Sequence, residues 1–279
     1  MAPVAGAAAM PGGAGSAATD MTLPLRLPPN LETALMEFQR EAVRFGLAHG
    51  GRCILADQMG LGKTLQAISI MWHYRSTWPL LVVAPSSMRG CWIDELEKWL
   101  PSLQPWDFNV VRSGKDVQGL TSAKVTVVTY GLLAQPGLLA HVEAANFRAI
   151  VCDESHYIKS RKAKRTQSLV PLLKKATHVL LLSGTPALSR PEELYTQLDA
   201  VRPGVFGTFS AYAERYCDAR RDRFGYNTKV CTTQLKQQQR GRLYVHPRRV
   251  GCIVIWVLNE STITIIQMPP VEVVRIVCV

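Results

Sequence analysis

Short apolar runs alternate with amphipathic stretches between residues 31 and 201, and this alternation is the dominant pattern of the sequence. The apolar runs have the length of buried strands, and they lie at residues 53–56, 80–84, 109–111, 125–129, 149–152 and 178–182. Apolar residues at helical spacing predict helices over residues 31–48, 63–74, 91–100, 137–144, 165–175 and 192–201. Strands that alternate with helices predict an α/β fold with a parallel sheet covered by helices on both faces.

The same pattern divides the chain into three parts. Residues 1–23 consist largely of Ala, Gly, Met and Pro, and we expect a disordered leader because they offer little apolar surface to offset chain entropy. Residues 24–226 hold the alternating pattern and are expected to form one domain. Residues 227–279 begin polar and become rich in β-branched residues. They are interpreted either as an added hairpin or as a tail without selected structure.

Composition and charge narrow the class of protein. Hydrophobic residues make up 47% of the chain, which is typical of a globular protein. No apolar run approaches the roughly 18–20 residues that cross a bilayer, so no membrane partner is expected. The formal net charge of +11 favours a polyanionic partner. The seven cysteines stand at least 14 residues apart, which excludes a Cys-x-x-Cys zinc site and predicts buried, reduced thiols.

Residues 56–64 follow a predicted strand and open a predicted helix, which is the context of a phosphate-binding loop. Glycines allow successive backbone N–H groups to turn towards phosphates, and the helix N-terminus directs its positive end at the same anion. Lysine would reach the β- and γ-phosphates, and threonine would offer a hydroxyl to Mg²⁺. The strict pattern has glycine at position 57, so an accidental turn is the alternative. The candidate residues are Asp57, Gln58, Met59, Gly60, Leu61, Gly62, Lys63 and Thr64.

A second signal is the carboxylate pair Asp153-Glu154, which directly follows the apolar run 149–152. Ligands of open α/β sheets gather at the carboxyl ends of strands. We therefore assign Asp153 to Mg²⁺ and Glu154 to the attacking water. Ser155 and His156 follow, and His156 would link this site to other motifs. An ordinary acidic turn is the alternative.

Two further features lie near other predicted strands. Ser183, Gly184 and Thr185 follow the run 178–182, and their hydroxyls would sense the γ-phosphate unless the segment is a plain turn. Gln39 precedes the phosphate loop, and its amide would bind an adenine edge unless it is simply a solvated helical residue.

Five cations crowd the segment after the carboxylate pair. Such a run would contact a nucleic-acid backbone or form part of a nuclear-import signal. A solvated loop is the alternative. The residues are Lys159, Arg161, Lys162, Lys164 and Arg165.

Together, the motifs at residues 57–64, 153–156 and 183–186 resemble helicase motifs I, II and III of the Swi/Snf-type ATPases. Residues 81–87 resemble motif Ia of that family. Residues 153–159 and 183–194 are similar to the annealing-helicase branch within it. One departure is Gln58, where the family usually has an acidic residue.

The resemblance implies a RecA-like first helicase lobe over residues 24–226. It implies binding of ATP and Mg²⁺, DNA-stimulated hydrolysis, rewinding of branched or forked DNA during replication stress, and a nuclear location. By resemblance, Gln39 falls on the adenine position, Lys63 and Thr64 on the phosphate and metal positions, and Asp153 with Glu154 on the hydrolytic pair. The motif Ia residues Ser86 and Ser87 join the cation run as candidates for DNA contact.

Motors of this type place ATP between two lobes, and residues 227–279 do not resemble the start of a second lobe. An arginine supplied across such a site is worth about 10³–10⁵ in rate, so slow hydrolysis is expected from this chain alone. The alternative function is a module that binds ATP or DNA without turnover. An unrelated phosphate-loop kinase or GTPase is disfavoured, because the segment at 183–186 is not a base-reading motif.

Overall fold

The computed structural model describes residues 25–184, 191–217, 220–222, 225–227, 252–259, 262–268 and 272–277. The predicted leader and residues 228–251 lie outside this part of the chain. The strands are β1 (Arg52–Leu55), β2 (Leu80–Ala84), β3 (Phe108–Val110), β4 (Val125–Thr129), β5 (Ala149–Cys152), β6 (His178–Leu182), β7 (Arg220–Asp222), β8 (Gly225–Asn227), β9 (Cys252–Asn259), β10 (Thr262–Met268) and β11 (Glu272–Val277).

The α-helices of the described ranges are α1 (Pro29–Ala34), α2 (Glu37–Ala48), α3 (Lys63–His73), α4 (Arg89–Trp99), α5 (Tyr130–Leu133), α6 (Pro136–Ala144), α7 (Lys164–Lys175), α8 (Tyr195–Val201) and α9 (Phe209–Tyr216). Short 3-10 turns connect several of them. No helix in the described ranges is both long enough and apolar enough to cross a bilayer.

The main sheet has the strand order β11-β10-β9-β1-β6-β5-β2-β4-β3. Strands β1 to β6 run parallel to one another, so the predicted parallel sheet is confirmed. Strands β9 to β11 run antiparallel and widen the sheet beyond β1, where Ile54 lies opposite Ile255 and Leu55 opposite Val254. Strands β7 and β8 form a separate two-stranded antiparallel sheet.

Two apolar layers, one on each face, enclose the parallel part of the sheet. Successive residues of β2 alternate between them: Val82 packs with helices α1 to α4, and Val83 packs with helices α5 to α9. Strands buried on both faces read as continuous apolar runs, which is why the sequence located β2, β4, β5 and β6 at their observed bounds. The predicted cover of helices on both faces is confirmed.

Some predicted helices differ from the structure. The helix predicted over residues 31–48 is broken at Leu35 and Met36, where the backbone is extended. The break is stabilised by a local contact, since the Gln39 side chain accepts a hydrogen bond from the Met36 N–H at 2.9 Å. The helix predicted over 192–201 begins as the 3-10 turn Pro191–Leu194 and becomes α-helical at Tyr195.

The prediction of buried thiols holds for three of the four cysteines whose side chains are described. Cys53, Cys152 and Cys217 are buried and free, and burial raises the pKa of the Cys53 thiol to about 12. The prediction is wrong for Cys91, which is exposed. Cys91 lies in α4 beside Trp92, and Trp92 occupies the buried side of the helix at this point.

Arg52 joins β1 to the ends of two helices on one face of the sheet. Its guanidinium donates to the carbonyls of Leu173 and Ala176 at the end of α7, and to those of Ala200 and Val201 at the end of α8. The last carbonyls of a helix have no partner within the helix. A single side chain therefore satisfies acceptors on both helices and fixes them against β1.

Replacing Arg52 by methionine should destabilise the chain by about 3–5 kcal/mol, because several part-buried carbonyls lose their donors. Urea unfolding followed by circular dichroism measures the change. The control is Arg75→Met, since Arg75 is exposed, and among the described residues its guanidinium contacts the carbonyl and the ring of Trp72, three residues away. That change should cost less than about 0.5 kcal/mol. Equal costs for the two variants would contradict the proposed role of Arg52.

Candidate nucleotide-binding site

The strand order brings the predicted motifs to one edge of the sheet. Strand β6 lies between β1 and β5, and all three run in the same direction. Two backbone hydrogen bonds continue the ladder one residue past the strands: Ser183 N–H donates to the Leu55 carbonyl at 3.1 Å, and Asp153 N–H donates to the Val83 carbonyl at 2.8 Å. The phosphate loop, the carboxylate pair and the Ser183 segment are therefore neighbours at the carboxyl ends of the strands.

The loop between β1 and α3 has the backbone of a phosphate cradle. Gly60 and Gly62 both have positive φ angles, of 85° and 73°. Gly62 is the residue before α3, so Lys63 stands in the first turn of the helix. The Lys63 ammonium donates to the carbonyls of Asp57 and Gln58 at 2.8 and 3.1 Å. These contacts hold the cation over the loop, at the end of the helix that attracts anions.

Asp57 occupies the position where the strict phosphate-loop pattern has glycine. Its carboxylate is fully buried and accepts a hydrogen bond from Gln66 Nε2 at 2.8 Å. Through this hydrogen bond, the Asp57 side chain joins the phosphate loop to α3. Sequence reasoning missed Gln66, although a polar residue on the apolar side of the predicted helix was an available signal.

Gln39 ties α2 to the phosphate loop. Its Nε2 donates to the Leu61 carbonyl at 3.0 Å, and its Oε1 accepts from the Met36 N–H. The side chain is buried. In this structure both ends of the amide therefore bind backbone groups, and the contact with adenine remains a prediction.

The Asp153 carboxylate is fixed at both oxygens. Oδ1 accepts from the Glu154 N–H at 2.9 Å, and Oδ2 accepts from the Trp92 indole Nε1 at 2.9 Å. The Tyr130 hydroxyl donates to the Asp153 carbonyl at 2.6 Å, and burial raises the pKa of that phenol. Neither Trp92 nor Tyr130 was predicted to belong to the site.

The backbone at Glu154 is left-handed, with a φ of 49°. This conformation is uncommon for residues other than glycine. It turns the chain sharply after β5 and leaves the Glu154 side chain partly exposed, 3.1 Å from His156 Nδ1. The turn separates the directions of the two neighbouring carboxylates, as their different predicted tasks require.

His156 lies between the carboxylate pair and the Ser183 segment. Its Nδ1 is 3.4 Å from the Ser183 hydroxyl as well as 3.1 Å from the Glu154 carboxylate. Gly184 borders the phosphate loop, since a Cβ there would lie 3.0 Å from Met59 Cγ. Thr185 lies outside the described residues.

Ser155 contacts helix α8. Its hydroxyl donates to Gln197 Oε1 at 2.7 Å, and both residues are fully buried. This contact anchors the turn after β5 to α8.

The described residues fit a nucleotide with Mg²⁺. Mg²⁺ prefers oxygen ligands and is commonly held by one or two carboxylates together with substrate phosphates. Thr64 supplies a part-exposed hydroxyl, and Asp153 a carboxylate with about four acceptor sites, two of which are used. The described residues contain no cluster of three or more His, Cys, Asp or Glu able to hold a metal. Phosphates would supply the remaining ligands.

The five cations after the carboxylate pair have different environments. Lys159 pairs with Glu193 at 3.0 Å, and Arg161 lies over the Phe209 ring at 4.0 Å. Arg165 stacks on Tyr157 and donates to its carbonyl. Lys162 and Lys164 are exposed and have no side-chain partner among the described residues.

Ser86 and Ser87 are exposed in the 3-10 turn Ser86–Met88, just past the end of β2. They lie at the same edge of the sheet as the phosphate loop. Their contact with DNA remains a prediction.

Substituting Gly62 by alanine should destabilise the chain more than substituting Gly60. At both positions an alanine would cost about 1–2 kcal/mol of stability, because the φ angle is positive. A Cβ on Gly62 would in addition lie 2.5 Å from Gln39 Nε2, whereas Gly60 faces open space. The added overlap should cost a further ~1–3 kcal/mol.

Urea unfolding of the two variants tests this difference. The control is Gly90→Ala, in helix α4 with open space at its Cβ, which should stabilise by about 0.5–1 kcal/mol. Equal losses for Gly60→Ala and Gly62→Ala would show that Gln39 does not press against the loop.

Comparison with known proteins agrees with this geometry. The mouse DNA annealing helicase and endonuclease ZRANB3 is 50% identical over 201 residues, which are 71% of this chain and 19% of that protein. The SWI/SNF-related matrix-associated actin-dependent regulator of chromatin subfamily A-like protein 1 of Xenopus tropicalis is 48% identical over 197 residues, 71% of this chain and 20% of that protein. The chain thus spans about a fifth of the length of these relatives.

A solved structure shows the same fold. The SWI2/SNF2 ATPase core of Sulfolobus solfataricus, in complex with dsDNA, superposes with a TM-score of 0.58 at 28% identity, covering 70% of this chain and 41% of that one. The family described as SNF2-related domain matches residues 38–244, which extends past the boundary predicted at residue 226. This match covers most of the chain, which therefore belongs to the SNF2-related domain family.

Proposed function

We propose that this chain binds ATP with Mg²⁺ and forms the first RecA-like lobe of a DNA-dependent ATPase that rewinds branched or forked DNA. The observation that carries the proposal is the meeting of the Lys63 loop, the Asp153-Glu154 pair and Ser183 at the carboxyl ends of β1, β5 and β6. Membership of the SNF2-related family supports the same assignment.

Each residue has a task that its position allows. Lys63, now held by two loop carbonyls, would exchange them for the β- and γ-phosphates. Thr64 and Asp153 would hold Mg²⁺, which neutralises charge on the phosphates. Glu154, the more exposed carboxylate of the pair, would orient the attacking water and accept its proton. His156 would couple Glu154 to Ser183, because its ring nitrogen Nδ1 lies close to both side chains.

The proposed DNA partner rests on the relatives and on the exposed face at this edge. The Sulfolobus core was solved with dsDNA, and the ZRANB3 relatives are named annealing helicases. Ser86, Ser87, Lys162 and Lys164 are exposed and would approach the phosphate backbone. Because the proposed rewinding would act on DNA during replication stress, we propose that the protein acts in the nucleus.

A second candidate function is a module that binds ATP or DNA without turnover. The likeness to the solved ATPase core extends over 41% of that core, so it supports binding more directly than turnover. The phosphate loop and the carboxylate pair both lie within the residues that match the SNF2-related domain family. Binding and hydrolysis must therefore be measured separately.

Lys63→Ala and Glu154→Gln should separate these steps. Loss of the ammonium removes a charge-assisted contact and should weaken binding of a fluorescent ATP analogue by about 10–100-fold. Glu154→Gln should keep that affinity and lower hydrolysis by about 10²–10⁴-fold, because it removes the general base. Fluorescence titration and phosphate release, with and without forked DNA, measure the two effects. Lys98→Ala, an exposed cation at the far end of α4, is the control.

The outcomes distinguish the two candidates. DNA-stimulated turnover that Glu154→Gln removes supports the ATPase. Nucleotide binding that depends on Lys63, without turnover on any DNA, supports the binding module. Absence of nucleotide binding by the unmodified chain overturns the ATPase, and absence of DNA binding as well overturns the binding module.

Replacing Lys162 and Lys164 together by glutamine should weaken binding to forked DNA and make it less dependent on salt. The slope of log K against log salt is negative, and each lost phosphate contact reduces its magnitude by about 0.9. The control is Lys98→Gln with Lys175→Gln, since these exposed lysines lie at the C-terminal ends of α4 and α7, at the opposite edge of the sheet. Equal slopes for the two double variants would assign Lys162 and Lys164 to a solvated loop.

A further inference from the structure

A tryptophan side chain reaches the carboxylate that is proposed to hold Mg²⁺. Trp92 of α4 donates its indole Nε1–H to Asp153 Oδ2 at 2.9 Å, across 61 residues of sequence. Trp92 is 1% exposed and Asp153 is 7% exposed. The bond is therefore shielded from water. A hydrogen bond to a charged group is stronger in the protein interior than in water.

The chemistry of the two groups makes this contact directional. An indole N–H donates and cannot accept, so it points at one oxygen of the carboxyl group, which acts as the acceptor. The Glu154 N–H binds the other oxygen at 2.9 Å. With both oxygens bound, the plane of the Asp153 carboxylate is set, and the free acceptor sites face in fixed directions.

The position of the indole is itself fixed. Trp92 is among the largest fully buried side chains, and it packs in the apolar layer with Leu96 and Val82. The first turn of α4 is anchored by Arg89, whose guanidinium donates to the Val111 carbonyl at 3.0 Å. The donor therefore cannot follow the carboxylate if the carboxylate turns.

We propose that Trp92 is a positioning residue, which orients Asp153 for Mg²⁺ and so sets the affinity of the nucleotide-loaded lobe for the metal. This inference rests on the proposed function, since it assumes that Asp153 holds Mg²⁺. Hydrogen-bond partners of metal-binding carboxylates typically contribute about 10–100-fold to metal affinity. The predicted effect is therefore on the Mg²⁺ requirement and not on the affinity for the nucleotide alone.

The same helix offers a matched control. Trp99 also donates its indole N–H to a carboxylate, at 2.7 Å from Glu95 Oε2, but this pair is at the other end of α4 and away from the site. Trp99→Phe removes an equivalent bond from the same helix. A general effect of losing an indole would appear in both variants, whereas positioning of Asp153 would appear only in Trp92→Phe.

The experiment titrates Mg²⁺ into the chain with a fluorescent, non-hydrolysable ATP analogue, N-methylanthraniloyl-AMP-PNP, whose fluorophore is excited directly. Trp92→Phe should raise the half-saturating Mg²⁺ concentration by about 10–100-fold while leaving the affinity in EDTA unchanged. Trp99→Phe should match the unmodified chain. If Trp92→Phe does not fold, 3-benzothienylalanine at position 92 keeps the ring shape and replaces the N–H by sulfur.

Two results would overturn the proposal while leaving the ATP site in place. One is a Mg²⁺ requirement of the position 92 variant equal to that of the unmodified chain. The other is an equal loss of analogue affinity with and without Mg²⁺, which would indicate a packing role. If the unmodified chain itself shows no Mg²⁺-dependent binding, the proposed function fails and this inference fails with it.

Discussion

The site depends on two backbone hydrogen bonds that continue the sheet beyond the ends of its strands. Ser183 N–H binds the Leu55 carbonyl, and Asp153 N–H binds the Val83 carbonyl. These bonds join the first residue after β6 to β1 and the first residue after β5 to β2. The apolar layers on both faces fix the register, since a slip of one residue would exchange the two faces of a strand. Burial of the strands and placement of the polar groups are thus consequences of the same ladder.

The fold was largely predictable because its central strands are buried on both sides. Such strands appear in the sequence as unbroken apolar runs, and the bounds of β2, β4, β5 and β6 were recovered without change. The break at Met36 could not be predicted, because helical spacing continues through it and the cause is a side-chain contact of Gln39. The extension of the sheet by β9 depends on long-range pairing with β1, which periodicity does not encode.

The candidate site was predictable in its motifs and not in its supports. Lys63 and Asp153 were identified by spacing from neighbouring elements. Trp92 and Gln66 reach them from positions whose role depends on how helices pack. Gln66 had a local signal as a polar residue on the apolar side of its helix, whereas nothing local distinguished Trp92. The cation run shows the same limit. Its charge was visible in the sequence, but the contact of Arg161 with the Phe209 ring and the ion pair of Lys159 with Glu193 are tertiary contacts.

The left-handed backbone at Glu154 has a consequence for how this lobe can change. A side chain with a Cβ in that conformation costs about 1–2 kcal/mol, which glycine would relieve. Glycine would also remove the carboxylate that we propose orients the attacking water. Under the proposed role, folding energy and reactivity are opposed at this residue, and substitutions selected only for thermal stability would tend to remove the group proposed to activate water. Substitutions intended to raise stability are better placed away from the carboxyl ends of the strands.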